Sequence, residues 1–152
     1  MFNNQKLGQL GKAGYIMSTI LKGSCLCHGI QYEVHSELGD IMQCHCQKCR
    51  KANGTAFATN AAIPTDAFVL VTGESLVGEY ESTPGVFRTF CTRCASPLYS
   101  RRPSQPELLR LRIGTLDTPI KGRPIMHIYT ASKAEWDNIS DEIPQYEERP
   151  VV

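Results

Sequence analysis

Gly23-Ser-Cys-Leu-Cys-His-Gly-Ile-Gln-Tyr-Glu-Val-His35 decides the fold, because it joins a pair of metal-type ligands to a strand pattern. Residues Gly29 to His35 alternate apolar and polar, which puts Ile30, Tyr32 and Val34 on one face of a β-strand. Just before them, Cys25 and Cys27 stand two residues apart, and in extended chain two such side chains point to the same side. Two further clusters follow, Cys44-His-Cys46-Gln-Lys-Cys49 and Cys91-Thr-Arg-Cys94, and together the three hold all seven cysteines of the 152-residue chain. Thiolates at such spacings converge on one metal ion, and tetrahedral zinc prefers sulfur ligands. Two plus two gives the four ligands of a closed structural site. The remaining three leave one position open, as in a catalytic zinc.

The odd cysteine count argues against a full disulfide framework, and C-x-C pairs suit local bridging poorly. Four of the cysteines could instead pack as small hydrophobes, but paired spacing argues for metal. The expected assignment is therefore Cys25, Cys27, Cys91 and Cys94 on a structural zinc, and Cys44, Cys46 and Cys49 on a second zinc. If the second site is closed, its fourth ligand comes from His28, His35, His45 or His127; in extended geometry His45 points away from its cysteine neighbours. Joining the outer pairs through zinc ties the first strand to the end of the strand at 86–90, a long-range staple for a small β-domain.

Other short strands are expected at 56–63, 67–71, 76–80, 86–90, 98–100, 108–113 and 125–129. Ser82-Thr-Pro-Gly85 closes a hairpin between the fourth and fifth of these eight. Helix is scarce: one or two turns over 47–53, and a short helix from Ser132 through Trp136, where Ser132-Lys-Ala-Glu135 has capping-box spacing. Many short strands separated by Pro and Gly predict a mainly β fold, a small zinc-organised antiparallel sandwich or partly open barrel. Residues 1–19 read as a flexible leader and 20–152 as the zinc-binding domain.

Apolar residues make up 41% of the chain and charged residues 20%, and the net charge is +1. That balance gives no global case for a nucleic-acid or membrane partner. No apolar run approaches the ~20 residues of a membrane helix. Clustered reduced cysteines without a signal core point to a cytoplasmic location. Composition says nothing about oligomeric state.

At these residues the chain resembles the glutathione-dependent formaldehyde-activating enzyme family, whose domain is shared with centromere protein V. The resemblance rests on Gly23-Ser-Cys-Leu-Cys27, Cys44-His-Cys-Gln-Lys-Cys-Arg50 and Cys91-Thr-Arg-Cys94. It extends through Gly114-Thr-Leu-Asp117, His127-Ile-Tyr129, Ser132-Lys133, Trp136 and Ile143-Pro-Gln-Tyr146. It implies a zinc-organised β-fold with two metals and a carbon–sulfur lyase reaction, the reversible addition of glutathione to formaldehyde. The partners it implies are a small thiol and an aldehyde. Two departures stand out. The family commonly has Gly directly after the first C-x-C and after the second C-x-x-C, where this chain has His28 and Ala95. Because Gly there serves positive φ, Ala95 implies a slightly altered turn.

On this reading the zinc held by Cys44, Cys46 and Cys49 activates a thiol or polarises an aldehyde. Arg50 and Lys51 are candidate carboxylate contacts, and Thr55, Phe57 and Asn60 are candidate pocket wall. The rival readings are a zinc-dependent interaction module without chemistry, and a redox sensor whose tripod thiols oxidise and release zinc.

Overall fold

The computed structural model describes residues 19–150. The leader reading of residues 1–19 therefore lies almost wholly outside the described residues. Among the described residues ten strands form two sheets. The smaller is antiparallel and orders β1 (Leu21–Ser24), β2 (Gln31–Val34) and β5 (Phe68–Thr72). The larger runs β10 (Met126–Ile128), β3 (Ile41–Cys44), β4 (Ala58–Pro64), β9 (Gln105–Arg112), β8 (Pro97–Arg102), β7 (Val86–Cys91) and β6 (Val77–Thr83). Among the described residues the β10–β3 pairing is parallel and the other strand pairings are antiparallel. Among the described residues there is one α-helix, α1 (Gln47–Asn53), and no closed barrel. The expected mainly β, two-layer fold is what forms.

The core lies between the sheets. From the small sheet come Leu21, Ile30, Tyr32 and Val34, and from the large sheet Ile63, Leu98, Leu109 and Leu111. Ile30, Tyr32 and Val34 are at most 1% exposed, as their alternation requires. Phe68 on β5 bridges the layers, stacking on Tyr32 at 5.0 Å and meeting Tyr99 of β8 edge-on at the same distance.

The opposite face of the large sheet follows from the same period of two. On β9, Leu109 and Leu111 face the core, so Leu108, Arg110 and Arg112 face away. Register carries that face across the strands. Arg112 stands opposite Asn60, which stands opposite Met42, while Arg110 lies between Ala62 and Ser100, with Arg88 beyond Ser100. This second face, with α1 at its rim, builds the site.

The hairpin at Pro84-Gly85 forms between β6 and β7, with Gly85 at φ 77°. The helix expected from Ser132 to Trp136 does not form. Ser132 is instead the last residue of a 3₁₀ turn over Thr130–Ser132, and its N–H donates to the Tyr129 carbonyl. As a residue of that turn its backbone is helical, whereas an N-cap residue is extended, so it does not start the expected helix. Lys133 then turns extended, and its ammonium donates to the Ala134 and Asp137 carbonyls.

The two-faced reading of β9 has a direct check. Leu111→Ala removes a fully buried side chain and should cost about 2–5 kcal/mol in denaturant unfolding. Val71→Ala, at a half-exposed position on β5, should cost under about 1 kcal/mol.

Candidate metal centre and active-site cleft

Two cysteine clusters could each hold a metal ion: Cys25, Cys27, Cys91 and Cys94, and separately Cys44, Cys46 and Cys49. Within each, all the sulfurs lie within 4.8 Å of one another. No His, Asp or Glu joins either cluster among the described residues.

The four-cysteine cluster is built by two matching turns. After β1, Cys25 N–H donates to Ile30 O (3.1 Å), while Ile30 N–H donates to Cys25 Sγ (3.2 Å). After β7, Cys91 N–H donates to Ser96 O (3.0 Å), and Ala95 N–H donates to Cys91 O (2.8 Å). The Leu26 N–H donates to Ser96 Oγ at 2.8 Å and links the two turns. Cys25 and Cys27 sulfurs are 3.5 Å apart and Cys27 and Cys91 sulfurs 3.9 Å. Four thiolates about 2.3 Å from one zinc stand about 3.8 Å from each other, so the donor set and spacing fit. Burial pushes the Cys25 thiol up to about 11, and a hydrogen bond from Ser96 draws Cys94 down to about 5.

His28 and Ala95 occupy the turn positions at φ 57° and 62°. The substitution for Gly thus leaves the turn in its left-handed conformation and stores strain there, instead of altering it. A Cβ at Gly29, next in line, would meet Leu76 Cδ1 at 2.6 Å, so the Leu76 side chain would have to shift to admit one.

The tripod sits where β3 runs into α1. Cys44 ends the strand, and Cys46 is the N-cap of α1, its sulfur accepting from the Cys49 N–H at 3.3 Å. That bond is the local reason for the two-residue gap, since it folds Cys49 back over Cys46. Gly54 closes the helix in left-handed geometry at φ 67°. Three sulfurs this close cannot ionise independently. Sharing a proton with Cys46 holds the Cys44 thiol up, and the same hydrogen bond draws Cys46 down, helped by Cys49 and by the Arg88 guanidinium. Arg88 places Nη1 and Nη2 at 3.9 and 3.8 Å from Cys49 Sγ, with its Nε fixed on Ser82 Oγ at 2.9 Å. Three converging thiols with a neighbouring cation fit a metal ion and its charge.

His45 points away from the sulfurs, as its extended neighbours require. Its imidazole is fully buried, and its Nε2 shares a hydrogen bond with His127 Nδ1 at 2.8 Å. His127 Nε2 in turn meets both oxygens of Asp141, at 3.0 and 3.1 Å. Burial, then the neighbouring His127, holds the His45 imidazole below its ordinary range.

Cys44, Cys46 and Cys49 line a cleft of about 450 Å³ on the outer face of the large sheet, and the four-cysteine cluster does not reach it. Asn60 lines the cleft and accepts from the Arg112 guanidinium. The other candidate contacts lie outside its lining. Arg50 donates to the Ser132 carbonyl at 3.2 Å, and Lys51 is exposed on the helix. The Thr55 hydroxyl donates to the Phe57 carbonyl at 2.5 Å, and the Phe57 ring packs 5.1 Å from that of His45. The cleft takes Lys48, a cation beside the tripod in sequence, together with Arg88, Arg110 and Arg112, three arginines that were not singled out in sequence. The alternation Leu-Arg-Leu-Arg over 109–112 was the available signal.

The family model described as glutathione-dependent formaldehyde-activating enzyme matches residues 20–132. A Halomonas elongata protein, provisionally named a glutathione-dependent formaldehyde-activating enzyme, is 32% identical, the match covering 79% of this chain and 81% of that protein. A Schizosaccharomyces pombe protein named an uncharacterized lyase is 30% identical, over 51% of this chain and 55% of its own length. A crystal structure of a Rhodobacter sphaeroides protein shares the fold at 23% identity, with a TM-score of 0.54, covering 82% of this chain and 98% of that one. Among the described residues no helix is long and apolar enough to cross a membrane.

The left-handed turn at Ala95 predicts that Ala95→Gly raises stability. Relief of about 1–2 kcal/mol of strain exceeds the roughly 0.5–1 kcal/mol of added chain entropy. Thermal unfolding of the metal-loaded protein should show the higher midpoint in the variant.

Proposed function

The chain belongs to the glutathione-dependent formaldehyde-activating enzyme family, and on that premise we propose that it adds a small thiol reversibly to an aldehyde, acting as a carbon–sulfur lyase in reverse. One observation carries this reading: the three-thiol cluster lines a cleft of small-molecule size, and the four-thiol cluster does not. We assign zinc to both, two per chain, with Cys25, Cys27, Cys91 and Cys94 holding the structural ion.

A metal ion on Cys44, Cys46 and Cys49 supplies Lewis acidity, which lowers the pKa of a thiol bound beside it. The chain's own groups do the rest. Cys46 is fixed by the first turn of α1, and Cys49 is held between that turn and the Arg88 guanidinium. Arg88 so placed offsets negative charge on the sulfurs and on an incoming thiolate. Asn60 forms part of the wall and orients Arg112. In the addition, the thiolate sulfur bonds to the carbonyl carbon while the C=O π pair moves to oxygen. That oxygen takes a proton, balancing the one the thiol lost to solvent. In the reverse step the C–S bond breaks and its pair returns to sulfur. Domain extent 20–152 and a cytoplasmic setting belong to the same proposal.

Elemental analysis should find two zinc ions per chain in protein purified without chelator. Cys46→Ser should keep the four-cysteine ion and lose thiol–aldehyde acceleration by about a hundredfold or more, followed by NMR of adduct formation. Zinc-loaded protein no faster than buffer would refute the enzyme reading and favour an interaction module.

A further inference from the structure

The cleft holds more positive charge than its three sulfurs can answer. Lys48, Arg88, Arg102, Arg110, Arg112 and Arg149 line it, and among the described residues no Asp or Glu does. Residues 1–18 and 151–152 contain neither acid. A divalent metal on three thiolates leaves one negative charge, against six cations.

Two of these guanidiniums, those of Arg110 and Arg112, are also short of partners. Arg112 is 5% exposed, donates only to the Asn60 side chain and the Arg110 carbonyl, and its buried Nε has no partner. Arg110 donates through Nη2 to Gln105 Oε1 at 2.6 Å, while its buried Nη1 has none. Burial first, then the crowd of Arg102, Arg149 and Arg112, pushes Arg110 down to about 10. The contrast lies one residue from Arg102: Arg101, off the cleft, is gripped by Glu79 through both Nε (2.7 Å) and Nη2 (2.6 Å). A carboxylate therefore satisfies the arginine outside the cleft, whereas Arg110 and Arg112 inside it have only neutral acceptors among the described residues. Desolvated cations left this way are costly unless a ligand brings the counter-charge. Their forked donors match carboxylate or phosphate.

We propose that the cleft's ligand is a small thiol carrying at least two anionic groups and no free ammonium. The thiol rests on the function proposed above; the charge requirement rests on the arginines. Arg110 and Arg112 stand two residues apart on one strand face, about 7 Å, and so serve separate acid groups better than one. An ammonium inside the cleft would meet six like charges and no carboxylate among the described residues. Glutathione carries such an ammonium, so this chain should prefer a thiol without it.

Calorimetric titration of the zinc-loaded protein tests this with four probes: mercaptosuccinate, 2-mercaptoethanol, glutathione and N-acetylglutathione. Mercaptosuccinate should bind at least about tenfold tighter than 2-mercaptoethanol, and N-acetylglutathione tighter than glutathione. Raising salt should narrow both gaps. Arg110→Gln, at a half-buried position that should tolerate the change, should cut the mercaptosuccinate preference about tenfold, and Arg102→Gln should reproduce the direction if Arg110→Gln misfolds. Displacement of mercaptosuccinate by succinate marks a carboxylate ligand, and displacement by inorganic phosphate marks a phosphorylated one. Displacement by neither, or equal binding of charged and neutral thiols, overturns the charge requirement and leaves the enzyme reading standing. Succinate bound as tightly as mercaptosuccinate overturns the thiol half together with that reading.

Discussion

The meeting of Cys25 and Cys27 with Cys91 and Cys94 is the constraint on which the rest depends. The first pair follows β1 of the small sheet and the second follows β7 of the large one, so the junction fixes how the two layers face each other. A metal there would close a loop of some sixty residues whose closure entropy the core alone would otherwise have to offset. The strain accepted at His28 and Ala95 shows how strongly that geometry is imposed: both residues keep a left-handed conformation although neither is Gly. Once β7 is anchored, its outward residues are anchored too, and Arg88 is one of them.

From that point the period of the strand divides the molecule. Leu109 and Leu111 go to the core, and Arg110 and Arg112 go to the cleft, because no strand can send neighbours to the same side. The chain has sixteen basic and fifteen acidic residues, so its balance looks neutral. The sheet sorts that balance by face. Glu79 lies on the side of Arg101, and the cleft side keeps its cations without acids among the described residues. Net charge therefore says nothing about the charge of the site.

The parts of the structure that were readable in sequence are those set by local spacing. C-x-C and C-x-x-C place sulfurs within one turn of chain, and Ile30, Tyr32 and Val34 announce their face within six residues. The cleft was unreadable because it is assembled by register. Asn60, Arg112, Ser100 and Arg88 come from four strands whose order, β4-β9-β8-β7, no local pattern records. Asn60 was reached only because β4 follows the tripod directly. Arg50 and Lys51 were attractive for their nearness to Cys49, yet α1 turns them away, one to the Ser132 carbonyl and the other to solvent. Ser132-Lys-Ala-Glu135 failed for a related reason: an N-cap residue needs extended backbone, and Ser132 lies inside the Thr130–Ser132 turn.

The same alternation that sorts β9 also explains the middle cluster. Cys44 and Cys46 bracket His45, so an extended path throws two sulfurs forward and one imidazole back. The forward side meets the cleft. The backward side is locked: His45 N–H donates to Ile128 O at 2.9 Å, and its ring reaches His127, which Asp141 holds in turn. His127 is itself tied through its backbone to Pro144 and Tyr146. A buried polar chain of this kind fixes ring orientation, and a shift of His45 would break a buried hydrogen bond worth about 1–3 kcal/mol. The sulfurs on either side of it inherit that rigidity. The C-terminal segment, more than eighty residues away in sequence, thus adds to the hold that α1 and Arg88 have on the tripod, and a change at Asp141 should reach the cysteines through two imidazoles without touching the cleft.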